Sequence, residues 1–261
     1  MLKGISLEVP QGETLVLLGL SGSGKTTTLK LINGLEKPDQ GLVFFEEQAL
    51  AQSDLLSLRR KMGYVIQEGG LFPHYTVFEN VALVPRLLKW DEERIKNRYR
   101  LLLEKLQLNP EEYYHQYPDQ LSGGQQQRIG LARALAANPP VLLMDEPFGA
   151  LDPITRASVR QEFLKLDELR EKTIVLVTHD VQEAFELGDR IALMDEGRIV
   201  QIGKPAELLD QPVNDFVQSF MAKDHWWLRL KEAGLDRVME EAFHAGNFNV
   251  EDLKSLIQRG S

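Results

Sequence analysis

The chain has 261 residues, is 43% hydrophobic and carries a formal net charge of −9. This length can bury a sizeable core in one or two compact units, and no apolar run reaches the roughly 18 to 20 residues that cross a bilayer. Because cysteine is absent, disulfides and thiolate metal sites are excluded. The start of the chain lacks the regions of a secretory signal, so we expect a cytoplasmic protein. The negative charge disfavours a broad electrostatic hold on nucleic acid.

The first predicted elements are a buried strand, a glycine-rich loop and a helix. The apolar run Thr14 to Gly19 is typical of a strand buried on both faces, and a helix is expected from Lys25 to Ile32. Residues 19–26 read Gly-Leu-Ser-Gly-Ser-Gly-Lys-Thr, which fits the phosphate-loop pattern G-x-x-x-x-G-K-[ST]. In that pattern backbone N–H groups surround the phosphates, Lys25 neutralises their charge and the Thr26 hydroxyl binds magnesium. Many nucleotide hydrolases share this loop.

The middle of the chain changes to helical patterning. Gln67 follows Tyr64 to Ile66 at the expected end of a strand, where its amide could contact both a metal ion and a water molecule. From residue 68 to 135 the pattern predicts an inserted helical subdomain, with a charged, leucine-rich helix from Glu92 to Leu106. Near its end residues 121–125 read Leu-Ser-Gly-Gly-Gln at a predicted helix start. The N–H groups and dipole of a helix start favour an anion, so this is a second candidate phosphate-binding segment.

Two further apolar runs follow the insert. Val141 to Asp145 and Thr173 to His179 are predicted strands, and a charged helix is expected between them from Ile154 to Glu171. Strands that alternate with helices predict a parallel sheet and an α/β fold. A short helical tail is predicted from helix-like stretches at residues 216–222, 227–243 and 250–258.

Polar residues at the strand ends are candidate catalytic groups. Asp145 could bind magnesium directly or through water, and Glu146 could act as a base on the attacking water. Because adjacent strand residues face opposite ways, the turn there must aim both side chains. His179 could donate to a γ-phosphate, and Asp152 could be no more than the N-cap of the next helix. Taken singly, such residues are more often structural. Their occurrence together and in this order along the chain favours a catalytic role.

Taken in order, these segments resemble the Walker A, Q-loop, signature, Walker B, D-loop and H-loop motifs of ABC-type ATPases. The matching segments are residues 19–26, Gln67, residues 121–125, residues 142–146, residues 150–152 and His179. The resemblance implies an ABC ATPase domain in residues 1–205 and a helical tail in residues 206–261. Within the domain it implies a P-loop NTPase (RecA-like) core in residues 1–67 and 136–205, with a mostly parallel sheet, and the helical insert in residues 68–135.

The resemblance also implies ATP and Mg²⁺ as cofactors and gives the two glycine-rich segments a joint use. Two chains, expected as a homodimer, would hold two ATP molecules head to tail, each between one chain's phosphate loop and the other's signature. The implied catalytic residues are Glu146, His179 and Gln67, and the implied metal ligands are Thr26, Gln67 and Asp145. The implied nucleotide-binding residues are Gly19, Ser21, Gly22, Ser23, Gly24, Lys25, Thr26, Thr27, Ser122, Gly123, Gly124, Gln125 and Asp152.

Two pairs of segments resemble particular groups within the ABC-type ATPases. Tyr117 to Leu121 and Gln67 to Pro73 look like the importer branch, whose membrane domains are on other chains. Asp145 to Arg156 and Val81 to Trp90 look like the ATPases of osmoprotectant importers for glycine betaine, choline or related quaternary amines. The implied partners are permease subunits and, indirectly, an extracytoplasmic solute-binding protein, with no nucleic acid. The implied location is peripheral, at the cytoplasmic face of the cell membrane.

Other functions stay open at this point. One is an importer ATPase for an amino acid, polyamine or oxyanion. Another is a soluble ABC-type ATPase acting on DNA or ribosomes, although the chain shows neither a very long coiled coil nor a second ATPase unit. A third is a scaffold without turnover, because no aromatic residue precedes Phe44 to stack on adenine as in the family. That departure predicts weak ATP binding, whereas the presence of Lys25, Asp145, Glu146 and His179 favours turnover.

Overall fold

A computed structural model describes residues 2–67, 70–149 and 151–222. The strands of these residues are β1 (Thr14–Gly19), β2 (Phe44–Phe45), β3 (Gln48–Ala49), β4 (Met62–Val65), β5 (Val141–Asp145), β6 (Thr173–Thr178), β7 (Arg190–Asp195) and β8 (Arg198–Gly203). Six of them form one sheet in the order β4-β5-β6-β1-β7-β8. All neighbours in this sheet are parallel except β7 and β8, which form an antiparallel hairpin.

Helices cover both faces of the sheet. Those of the described residues are α1 (Lys25–Ile32), α2 (Leu55–Arg60), α3 (Val77–Leu87), α4 (Glu92–Lys105), α5 (Pro110–Tyr113), α6 (Gly123–Leu135), α7 (Pro153–Leu164), α8 (Val181–Leu187), α9 (Pro205–Asp210) and α10 (Asp215–Ala222). The α/β architecture with a mostly parallel sheet agrees with the sequence prediction. Within the part of the chain that the structure describes, no helix combines the length and the hydropathy needed to span a membrane.

The central strand β1 explains why its sequence is continuously apolar. It lies between β6 and β7, and successive side chains point to opposite faces. Val16 and Leu18 belong to the larger hydrophobic core on one face, and Leu15 and Leu17 belong to the smaller core on the other. A strand covered on both faces has no position for a polar side chain, which is the usual pattern of a parallel sheet.

Between β4 and β5 the described residues contain helices α3 to α6 and no strand. Arg98 of α4 ties this region to the rest of the molecule. Its guanidinium donates to the carbonyls of Leu135 and Ala136 at the end of α6, and it pairs with both oxygens of Glu168 at 2.8 and 2.7 Å. Lys105 donates to the same carboxylate at 3.0 Å. The boundaries between core and insert stay predictions.

Some expectations from the sequence differ from the structure. The helix predicted from Ile154 to Glu171 ends at Leu164, and a 3₁₀ turn follows at Asp167–Leu169. Leu166 and Leu169 are both buried, and their spacing of three residues suits a 3₁₀ turn better than an α-helix. The strand expected to reach His179 ends one residue earlier. Of the tail, residues 216–222 lie in α10, whereas the helices expected at residues 227–243 and 250–258 lie outside the described residues.

We expect Glu168→Gln to lower the free energy of unfolding by about 1–3 kcal/mol, because it leaves the largely buried Arg98 without its carboxylate. Burial opposes ionisation of Glu168, but hydrogen bonds from Arg98 and Lys105 outweigh it and keep its pKa below the usual range. The contribution is therefore present above the ordinary carboxyl pKa and is lost as the pH falls through the lower folded-state pKa. Urea unfolding of both proteins between pH 7 and pH 3 checks this; a difference that stays constant in acid would contradict it.

Candidate functional site

The phosphate loop joins β1 to α1, so it lies at the carboxyl end of the central strand. Gly24 is the N-cap of α1 with φ of 102°, a left-handed conformation that favours glycine. No side chain caps this helix, and its first turn has no acidic residue. The first N–H groups of an uncapped helix lack intrahelical partners. The start of α1 therefore offers backbone donors and a positive dipole end to an anion.

Lys25 and Ser23 complete this loop. The Lys25 ammonium donates to the carbonyls of Gly19 and Leu20, both at 2.9 Å. An ammonium has three donors, so one is left for a phosphate oxygen. Burial lowers the pKa of Lys25, while Glu146 and Asp145 act in the opposite direction. The Ser23 hydroxyl is buried and has no hydrogen-bond partner among the described residues, as expected in a cradle for a polar ligand.

Asp145 faces the loop across the sheet edge. The Thr26 hydroxyl donates to Asp145 Oδ1 at 2.9 Å. Burial raises the pKa of Asp145, and the hydrogen bond from Thr26 opposes that effect. A hydroxyl and a carboxylate are the hard oxygen ligands that Mg²⁺ takes, usually with few protein ligands besides waters and phosphate oxygens. Thr26 and Asp145 therefore have the donor chemistry for this ion. The described residues hold no cluster of three or more His, Cys, Asp or Glu suited to a metal.

Glu146 directly follows Asp145 but does not continue strand β5. Its φ is 44°, in the left-handed region that non-glycine residues rarely adopt. The backbone N–H of Glu146 donates to Val177 at 3.0 Å, and its carbonyl accepts from Gly149 at 3.1 Å. Glu146 Oε2 then lies 3.3 Å from Nδ1 of His179. The turn predicted to aim both acidic side chains is thus a strained one, and it brings Glu146 to His179.

Gln67 follows the strand next to β5 but does not join this group by a hydrogen bond. It is exposed in the turn after β4, whose Val65 pairs with Met144 of β5. In the described part of the chain its amide has no hydrogen bond to the other candidate site residues. Its metal and catalytic roles therefore stay predictions.

Residues 122–125 form a second cluster with the start of α7. Ser122 is the N-cap of α6 in a reciprocal capping box with Gln125. Gly124 packs against Thr155, since a Cβ on this glycine would lie 2.7 Å from the Thr155 methyl carbon. Asp152 caps α7 by accepting from Ile154 and Thr155. The structure therefore brings Asp152 beside the signature segment. The contacts of Lys25 and Thr26 are made with a different set of residues.

Sequence reasoning missed two residues that connect these loops. Arg156 of α7 donates to the carbonyl of Leu151 at 3.1 Å and lies 3.5 Å from Asp180, which directly follows His179. Asp180 caps α8, and the Asp-x-x-Glu spacing to Glu183 is a helix-start signal that could have revealed it. The contact with Arg156 had no sequence signal because it joins residues far apart in the chain.

The sheet, the loop and the strand-end groups define a P-loop nucleotide-binding fold. The sequence matches the model of the family described as ABC transporter over residues 2–149, and the chain belongs to that family. A solved dimeric ATP-binding cassette, in a post-hydrolysis state bound to ADP and Pi, superposes with a TM-score of 0.70 at 39% identity over 78% of this chain and 90% of that one. The fold expected from the sequence is confirmed.

Two curated relatives are named as a transport and an import ATP-binding protein. The chain is 54% identical over 220 residues to the glycine betaine/carnitine/choline transport ATP-binding protein OpuCA of Bacillus subtilis. This alignment covers 84% of the chain and 58% of the relative. The chain is also 52% identical over 226 residues to the osmoprotectant import ATP-binding protein OsmV of Salmonella typhimurium. This alignment covers 87% of the chain and 59% of the relative. The chain thus spans less than three-fifths of the length of these relatives.

We expect Gly124→Ala to make the protein about 1–3 kcal/mol less stable than Gly123→Ala, because the new methyl group overlaps the stiff Thr155 side chain. Gly123 is the matched control, since its nearest neighbour would be Leu151 at 3.8 Å and both changes gain similar helix propensity. Adding Thr155→Ser to Gly124→Ala removes the overlapped methyl and should restore stability. Chemical unfolding of the unmodified chain and these three variants measures this, and equal stability of the two single alanine variants would contradict it.

Proposed function

We propose that this chain is the ATP-hydrolysing subunit of an ABC importer for osmoprotectants such as glycine betaine, choline or related quaternary amines. The observation that carries the proposal is that two candidate phosphate-binding segments lie in separate clusters of one chain. In the loop at residues 19–26, Thr26 contacts Asp145 at a strand end, whereas Gly124 of the second segment packs against Thr155 of α7. Residues 122–125 would have a role in nucleotide binding if they complete the nucleotide site of another chain.

In this proposal the first cluster binds the nucleotide. The N–H groups at the start of α1 and the Lys25 ammonium hold the β- and γ-phosphates of ATP, with the Ser23 hydroxyl as a further donor in the loop. Thr26 and Asp145 hold Mg²⁺, with Gln67 as a third ligand. When bound, the ion supplies charge that stabilises the transferring phosphoryl group.

Glu146 and His179 are proposed to carry the hydrolytic step. The Glu146 carboxylate accepts a proton from the attacking water, and the imidazole of His179 donates to the γ-phosphate. Their 3.3 Å contact supports a shared role, because each can fix the orientation of the other. The left-handed turn at Glu146 also supports it, since strained backbone is often found at functional sites.

The second cluster is proposed to act on a partner chain. In a head-to-tail dimer, expected to be a homodimer, residues 122–125 and Asp152 of one protomer contact the ATP bound by the other. Dimer closure on ATP and reopening after hydrolysis would move permease subunits at the cytoplasmic face of the membrane, while a solute-binding protein selects the solute outside. The words transport and import in the names of the two relatives support the transport role, and the glycine betaine, choline and osmoprotectants in those names support the solute class.

We expect Glu146→Gln to lower ATP turnover by about 10²- to 10⁴-fold, since it removes the proposed base. Because ATP is still bound, the variant should form a stable dimer with ATP and Mg²⁺, and EDTA should abolish that dimer. Phosphate release and size-exclusion chromatography with light scattering measure the two properties. Glu104→Gln, on an exposed position of α4, is the matched control and should behave as the unmodified chain. A Glu146→Gln protein with full turnover would exclude the assigned base.

The transport role is tested by uptake of labelled glycine betaine and choline into cells that lack this chain. We expect uptake to be lost and then restored by the chain, but not by its Glu146→Gln variant at equal expression. An amino acid and a polyamine serve as controls and should enter at unchanged rates. Unchanged uptake of the quaternary amines would reject the osmoprotectant assignment, and loss of an amino acid or polyamine instead would identify a different importer.

A further inference from the structure

Both ends of the Gln125 side-chain amide are held. Its Oε1 accepts from the backbone N–H of Ser122 at 2.8 Å, and its Nε2 donates to the hydroxyl oxygen of Tyr113 at 2.9 Å. The capping box alone would use only one end of the amide. An amide with partners on both its oxygen and its nitrogen has a single preferred orientation. The turn at residues 122–125 is therefore fixed by a tyrosine that lies outside the signature motif.

Tyr113 is itself rigidly placed. It is the last residue of α5, is 9% exposed, and its ring belongs to the larger hydrophobic core. The first residue of α5, Pro110, accepts a hydrogen bond from the Tyr99 hydroxyl of α4 at 2.9 Å. Because Tyr99 is almost fully buried, both ends of this short helix are anchored. The hydroxyl of Tyr113 is thus a fixed acceptor for Gln125.

The segment that follows Tyr113 is bonded to the start of α3. Val77 donates its backbone N–H to Gln116 at 2.8 Å, and Phe78 donates to Tyr114 at 3.4 Å. The rings of Phe78 and Tyr114 are stacked, with centroids 4.4 Å apart and planes 14° from parallel. A displacement of the start of α3 would therefore be passed to residues 113–116.

We propose that Tyr113 is a positioning residue for ATP-driven dimerisation. Its hydroxyl holds Gln125, and through Gln125 it holds the start of α6 in the orientation that a partner's nucleotide requires. The residues that follow it, Tyr114 and Gln116, are bonded to the start of α3, so that movement of the helical region changes the signature geometry through Tyr113. The inference rests on the proposed function, in which residues 122–125 complete the nucleotide site of a second chain.

Tyr113→Phe isolates this role because it removes one oxygen and keeps the buried ring. Without the hydroxyl, Gln125 Nε2 loses its partner and the amide can turn away from Ser122. The loss of one such hydrogen bond corresponds to an affinity change of about fivefold per site. A homodimer contains the site twice, so we expect the dimer to be weakened by about 25-fold. ATP binding by the single chain should not change, because Lys25 and Thr26 make their contacts elsewhere.

The test uses the full chain carrying Glu146→Gln, with the dimer dissociation constant measured by analytical ultracentrifugation in ATP and Mg²⁺. Tyr113→Phe is compared with Tyr114→Phe, which removes the hydroxyl of the neighbouring tyrosine and keeps its stacking on Phe78. Fluorescent-nucleotide titration at protein concentrations below dimerisation and the thermal midpoint are measured on both. We expect weaker dimers for Tyr113→Phe alone, with nucleotide affinity unchanged. Equal dimers for the two variants, or a parallel loss of nucleotide affinity, would overturn the inference.

A double-mutant cycle with Gln125→Leu tests whether Tyr113 acts through Gln125. In the Gln125→Leu background the change Tyr113→Phe should have no further effect on dimerisation. Additive effects would overturn the assigned route. If the parent Glu146→Gln chain binds ATP but does not dimerise, the proposed function fails and the inference fails with it. A parent that dimerises while Tyr113→Phe leaves its dissociation constant unchanged overturns the inference alone.

Discussion

The molecule depends on one constraint, the parallel alignment of β1, β5 and β6 between two hydrophobic cores. Parallel strands end at the same edge of a sheet, so the phosphate loop, Asp145 and His179 meet there although they are far apart in the chain. The fully apolar interior of these strands leaves polar groups only at their ends. The hydrogen bond from Thr26 to Asp145 and the contact between Glu146 and His179 both follow from this alignment.

The edge of the sheet also explains the strained turn after β5. If Glu146 continued the strand, its side chain would point to the face opposite to that of Asp145. A left-handed residue costs on the order of 1–2 kcal/mol, and the hydrogen bond to Val177 together with the contact from Gly149 offsets part of that cost. In the observed turn Asp145 contacts Thr26 and Glu146 contacts His179, so both acidic side chains lie at the strand-end edge of the sheet.

The second cluster is constructed differently, from helix starts rather than strand ends. Ser122 and Asp152 each cap a helix, and the small Gly124 lets α6 approach Thr155 closely. Tyr113 and Arg156 then attach this cluster to the helical region and to the loop of His179. Together these contacts join the proposed nucleotide site of one protomer to the surface proposed for its partner.

The sequence by itself determined the buried strands β1, β5 and β6, the phosphate loop and the order of the motifs, because continuous apolar runs and glycine spacing are local signals. The local pattern also predicted Asp152 as the N-cap of a helix, because capping depends on the next two or three residues. Only the tertiary structure decided that the helix of α7 ends at Leu164 and that Glu146 turns toward His179. The contact between Tyr113 and Gln125 likewise has no local pattern, because it is fixed by how helices pack in three dimensions.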